Sequence, residues 1–288
     1  MSSARTISHR TLGSKHGFIR RLVSPGDLGE WTRPFVFLDH VHGQIPPGSG
    51  FGWHPHSGLA TLTYSLNSDA EYEDTAGQKG IVEATGLEWM RAGAGTWHRG
   101  SIRPHESTVT AFQLWVALPP ELENGPPEGT YIQPADVPLI PLSGLRNGKS
   151  AEVGSMRILL GEWQGNQNPI QAPGPILYAD VVLQPGTEWQ FIPEPNHIVL
   201  WALVYEGDAM LDEHTAPNEL VVFAPSDAPL HLRSTTGARI LLGSAPPHPH
   251  PLVLGSYSVH TSAEALRQGE ANIVRVRDEL RRQGRLQG

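Results

Sequence analysis

The stretch Gly48-Ser49-Gly50-Phe51-Gly52-Trp53-His54-Pro55-His56-Ser57-Gly58 places two histidines two positions apart. Alternate side chains of a strand share a face, so His54 and His56 on a strand would present both imidazoles to a single ion. A third histidine is offered further along by Glu88-Trp89-Met90-Arg91-Ala92-Gly93-Ala94-Gly95-Thr96-Trp97-His98. There a strand-like run breaks at Gly93 and Gly95, which read as a tight turn, and restarts toward His98. Neutral imidazoles suit iron, nickel, copper or zinc.

Gly48 followed by His54-Pro55-His56, and then Gly95 followed by His98, resembles the paired motifs of the cupin β-barrel, which converge on a metal at one end of the barrel. The likeness narrows with Arg33-Pro34-Phe35-Val36-Phe37-Leu38-Asp39, His54-Pro55-His56-Ser57-Gly58, Trp89-Met90-Arg91-Ala92-Gly93 and Phe112-Gln113-Leu114-Trp115-Val116. These four segments occur in the order and spacing of the pirin family, and the chain resembles a pirin-like bicupin over roughly residues 15 to 260. The resemblance implies an all-β fold of two tandem cupin (jelly-roll-like) β-barrels with a short C-terminal helix. Residues 1–135 are expected to form a metal-bearing first barrel, and 136–288 a metal-free second barrel with a helical tail.

The resemblance also implies one divalent metal per chain, held by His54, His56 and His98. Iron is the leading expectation and zinc, nickel or copper the alternatives. Pirins commonly supply a carboxylate two residues after the third histidine, but Gly100 stands there, and the general cupin glutamate four residues after the second histidine is Ala60. A three-histidine iron(II) centre keeps positive charge that a carboxylate would partly neutralise, which favours anionic bidentate substrates such as enolates and catecholates.

His105 and Glu106 are the nearest replacements for a lost ligand, although the preceding Pro104 favours an exposed turn. His40 and His42 form a second histidine pair, expected on a rim loop near the mouth of the site. Phe51, Trp53 and Trp97 are candidates to wall an aromatic substrate or to pack the core.

The chain has 288 residues, 39% of them apolar, with 31 glycines and 26 prolines, a composition suited to many strands joined by tight turns. A formal net charge of -8 argues against broad binding to a phosphate backbone, so no direct nucleic-acid partner is expected. The absence of cysteine leaves nitrogen and oxygen as metal donors. With no apolar signal core at the start and no long apolar run, no membrane association is expected, and a cytoplasmic location is the default.

Residues 59–66 alternate like a strand, 112–118 form another, and a Pro/Gly/Asn-rich passage from Pro119 through Gly148 reads as the connection between domains with short strands inside it. The second half repeats the strand pattern, but its ligand positions hold Glu188-Trp189-Gln190 and the closing segment Gly243-Ser244-Ala245-Pro246-Pro247 carries no donor. His248 and His250 are flanked by prolines and read as a loop. A capping box at Ser262 is expected to start a helix, followed by a basic tail that includes Arg275, Arg277, Arg281, Arg282 and Arg285.

Three functional readings follow from the family resemblance. The first is a metal-dependent dioxygenase acting on a flavonol-like or enolic small molecule, as in quercetin 2,3-dioxygenase. The second is a metal-binding regulator that works through a protein partner. The third is a bicupin with a vestigial site.

Overall fold

The computed structural model describes residues 4–46, 48–212, 214–215 and 217–286. Strands dominate, as the all-β reading expects, and they form two compact units. One unit contains Ser14–Asp136 and the chain from His248 onward; the other contains the chain up to Gly13 and Val137–Pro247.

This partition differs from the contiguous division 1–135 and 136–288. The amino-terminal strand Ile7–Thr11 pairs antiparallel with Leu220–Phe223, so the first residues complete the second unit. The carboxyl-terminal helix Ala263–Arg282 packs on the strand Thr96–Pro104, so the last residues complete the first unit. Trp97 fixes that contact by donating its indole N–H to the Ile273 carbonyl at 2.9 Å.

In the metal-candidate unit, a seven-stranded sheet runs in the order Glu128–Ile132, Leu87–Arg91, Leu59–Ser65, Val109–Ala117, Phe35–Gly43, Ile19–Val23 and Ser14–His16. A four-stranded sheet runs Gly50–His56, Thr96–Pro104, Ser68–Asp74 and Lys79–Val82. The central strands of the larger sheet are largely buried on both faces. Phe35, Leu38, Leu62, Tyr64, Trp89, Met90 and Leu114 are each at most 2% exposed. Part of the expected connection joins this unit as the edge strand Glu128–Ile132, which pairs with Leu87–Arg91.

His40 and His42 lie on the strand Phe35–Gly43 rather than on a rim loop. The two share a face of that strand: His40 is buried against the Phe112 ring, while His42, next to the strand's end at Gly43, is exposed.

The other unit centres on a twelve-stranded antiparallel sheet whose core includes Ile158, Trp163, Leu177, Trp189, Phe191, Leu200, Val221 and Leu242. Trp189, at one of its expected non-ligand positions, is a core residue, while Gln190 points the other way and bonds His231 at 3.2 Å. His248 and His250 lie in irregular chain.

The carboxyl-terminal helix has 20 residues, and the expected basic tail is largely its second half. Ser262 caps it by accepting the Ala265 N–H at 3.1 Å. The full capping box is absent because Ala265 occupies the position from which a Glu or Gln would reach back. Among the described residues, no helix is long and apolar enough to cross a membrane.

Candidate metal centre

The strand Gly50–His56 pairs antiparallel with Thr96–Pro104, and the register sets His98 opposite His54 and Thr96 opposite His56. Period-two alternation therefore turns all three imidazoles to one face. Ring centroids are 4.2 Å apart for His54 and His98, and 5.2 Å apart for both His54–His56 and His56–His98. One nitrogen from each ring lies within 4.8 Å of the others.

The glycine turn makes this convergence possible. Gly93 has φ +51°, and a Cβ there would stand 2.3 Å from the Gly125 carbonyl oxygen. Its own carbonyl accepts the Gly58 N–H at 2.8 Å, tying the turn that precedes His98 to the turn that follows His56. Both histidine segments are thereby anchored to one backbone junction.

The outer nitrogens of the three rings face oxygens. His54 Nδ1 lies 2.8 Å from the Gly52 carbonyl and His56 Nδ1 lies 3.3 Å from the Tyr257 carbonyl. Since a carbonyl only accepts, both Nδ1 atoms carry the proton and both Nε2 lone pairs are left free for an ion. His98 Nδ1 is 3.6 Å from Glu88 Oε1, and its Nε2 is buried with no hydrogen-bond partner.

Burial, reinforced by the neighbouring His98, pushes the pKa of His54 down to about 4. His56 is held well below the ordinary range by its complete burial and then by His98 and His54. Neutral imidazoles, a buried orphan nitrogen and three convergent donors are what a transition metal requires, so the residues fit an ion.

The centre opens on a cavity of about 340 Å³. Arg21, Phe37, Trp115 and His56 form a continuous stack along one wall. The Arg21 guanidinium lies 3.9 Å over Phe37, Phe37 stacks on Trp115 at 3.9 Å and 8°, and Trp115 meets His56 edge-on at 4.9 Å. Phe51, Phe112 and Tyr257 line the same space.

Of the aromatic residues singled out in the sequence, only Phe51 lines this cavity. Trp97 is buried against the helix, and Trp53 lies beneath the Arg99 and Arg285 guanidinium groups. Trp115 and Phe37 were present in the quoted family segments, and the alternation of their strands was the signal for their role. Tyr257, brought from far along the chain, had no local signal.

Gly100 lines the cavity with His98. A bulge between them shifts Gly100 opposite Phe51, and a Cβ at Gly100 would stand 2.9 Å from the Glu71 carbonyl oxygen. His105 and Glu106 do not fill the gap: His105 pairs with Asp69 at 2.8 Å, and Glu106 accepts from Asn67 at 3.2 Å. Among the described residues, His54, His56 and His98 are the one group of three or more His, Cys, Asp or Glu side chains close enough to share an ion.

A strand-built unit with three imidazoles at the mouth of an aromatic cavity is a cupin-type metal-site scaffold. Residues 19–116 match the family model described as Pirin. A Pseudomonas aeruginosa protein named "Putative quercetin 2,3-dioxygenase PA1205" is 30% identical over 249 residues, covering 85% of this chain and 74% of that protein. A crystal structure of quercetin 2,3-dioxygenase from Acinetobacter baumannii superposes with a TM-score of 0.84 at 21% identity, covering 95% of this chain and 98% of that one. The bacterial pirin YhhW from Escherichia coli, solved in complex with nickel(II), gives a TM-score of 0.62 at 18% identity, covering 86% and 100%. The chain belongs to the pirin family, and its fold is that of the cupins.

Proposed function

We propose that this protein is a metal-dependent dioxygenase of the quercetin 2,3-dioxygenase type, acting on a flavonol-like or enolic small molecule. The observation that carries the reading is the convergence of three imidazoles on an aromatic-lined cavity. The relatives' names supply the reaction class.

His54, His56 and His98 would hold one divalent ion, with iron the first candidate. When bound, that ion would supply a Lewis acid and redox partner for an enolate and oxygen. The chain's own residues do the rest. The carbonyls of Gly52 and Tyr257 fix the His54 and His56 rings with Nε2 turned toward the centre.

Phe37 and Trp115, whose facing surfaces are taken up by each other, line the cavity with apolar ring surface suited to edge-to-face contact with an aromatic substrate. The cavity, at about 340 Å³, falls in the range of small-molecule sites, roughly 300–1,000 Å³. Gly100 contributes no side-chain base, so proton acceptance from the substrate falls to groups elsewhere in the cavity or to the substrate's own ionisation.

The test is metal analysis of purified protein followed by oxygen uptake across a panel of flavonols, catechols and acyclic enols. Uptake that needs both metal and substrate and disappears in His56→Ala supports the reading. A stoichiometric metal with no oxygen uptake on any member of the panel removes the dioxygenase assignment.

A further inference from the structure

Three carboxylates line the cavity: Asp39, Glu71 and Glu88. Asp39 is paired with Arg21, and Glu71 with Ser101 and Arg103. Glu88 differs. It is 8% exposed, sits among Leu87, Trp89 and Met90 on its strand, and its ion-pair partner within 4 Å among the described residues is His98 at 3.6 Å.

A buried carboxylate without a Lys or Arg partner is costly, and a fold retains it where a cation or a hydrogen-bond donor offsets its charge. His98 turns Nδ1 toward Glu88 and leaves its buried Nε2 in the three-histidine cluster. The placement is that of a carboxylate behind a ligand imidazole: at 3.6 Å it lies just beyond hydrogen-bond distance, and its charge favours the proton on Nδ1 and leaves Nε2 as the donor. Glu88 is too far from the cluster to be counted among its donors, so its influence runs through His98 and through the local field.

We propose that Glu88 is the positioning carboxylate of the metal centre: it orients His98 and supplies, from behind that ring, the negative charge that Gly100 does not supply beside it. The proposal rests on the reading of His54, His56 and His98 as metal ligands. It accounts for a site that carries a glycine at one side and a buried acid at another. The ion would keep an open position at the Gly100 side while part of its charge is still offset.

The test uses cobalt(II) as the probe on the full-length, chelator-stripped protein, with Glu88→Gln and Glu88→Asp compared against wild type. Glu88→Gln keeps shape and removes charge. It is expected to weaken cobalt(II) binding by about 10- to 100-fold in competition with a chromophoric chelator. Its ligand-field absorption should shift, while the melting temperature of the metal-free protein should stay the same or rise, because a buried carboxyl group with no Lys or Arg partner has gone. Glu88→Asp, which restores charge at a longer reach, should recover part of the affinity.

Opposite signs for metal affinity and metal-free stability separate positioning from a merely structural role. Cobalt(II) affinity within twofold of wild type with an unchanged spectrum would overturn the proposal, as would a raised KM for a flavonol with metal binding unaltered. A wild-type protein that binds no cobalt(II), or binds it equally well as His56→Ala, would instead remove the three-histidine reading on which the proposal depends.

Discussion

In the metal-free protein, His54→Gln should flatten the pH dependence of stability. Burial and the adjacent His98 push the His54 pKa down to about 4, from an ordinary value of 6.5. The unfolded chain therefore takes up a proton as the pH falls through 6.5, whereas the fold resists it until about 4. The stability contributed by keeping this ring neutral is complete above 6.5 and is lost as the pH falls toward 4.

At pH 5.0 the two proton-binding factors differ about 30-fold, so wild type should lose about 2 kcal/mol on this account relative to pH 7.5. The glutamine variant cannot titrate there and should keep that share. The assay is urea unfolding followed by tryptophan fluorescence, with a chelator present, at pH 7.5, 6.0 and 5.0. His40 and His248, both also pushed down to about 4 by burial, add their own losses equally to both proteins and cancel in the comparison. Equal losses of stability in wild type and variant would refute the claim that the fold holds His54 neutral.

Three further outcomes are expected. His56→Ala, which removes a proposed ligand that is 2% exposed, should abolish stoichiometric metal binding by elemental analysis; full occupancy in that variant would exclude the site. Gly93→Ala forces a side chain into positive φ and against the Gly125 carbonyl, so it should cost ~1–3 kcal/mol in thermal or urea unfolding and weaken metal binding with it. Gly100→Glu should hold metal at least as tightly as wild type after a local shift away from the Glu71 carbonyl. A gain of flavonol oxygenation there would identify a missing base, while unchanged affinity, activity and pH profile would show that position 100 does not act on the centre.

The convergence of His54, His56 and His98 was legible because it rests on short-range rules. The His54–His56 spacing becomes one face on a strand, and Gly93 and Gly95 mark the turn that returns His98 to it. The strand position of His40 was less legible, since one buried and one exposed histidine in Leu38-Asp39-His40-Val41-His42 look the same in sequence as a polar rim. The exchange of terminal segments between units was not legible, because pairing of Ile7–Thr11 with Leu220–Phe223 depends on contacts across most of the chain. Glu88 left a signal that composition obscures, an acid among Leu87, Trp89 and Met90, whose meaning depends on what the opposite sheet presents.

The carbonyl of Tyr257, which sets the His56 ring, comes from 201 positions further along the chain. Closing so long a loop carries an entropic cost that local contacts do not, and such contacts form late in folding. During synthesis the three histidines leave the ribosome well before this carbonyl does, and an ion met at that stage would find His56 free to rotate. Secure capture belongs to the finished chain. The identity of the resident ion would then be decided by the metals present where the completed protein resides, rather than by those near the ribosome.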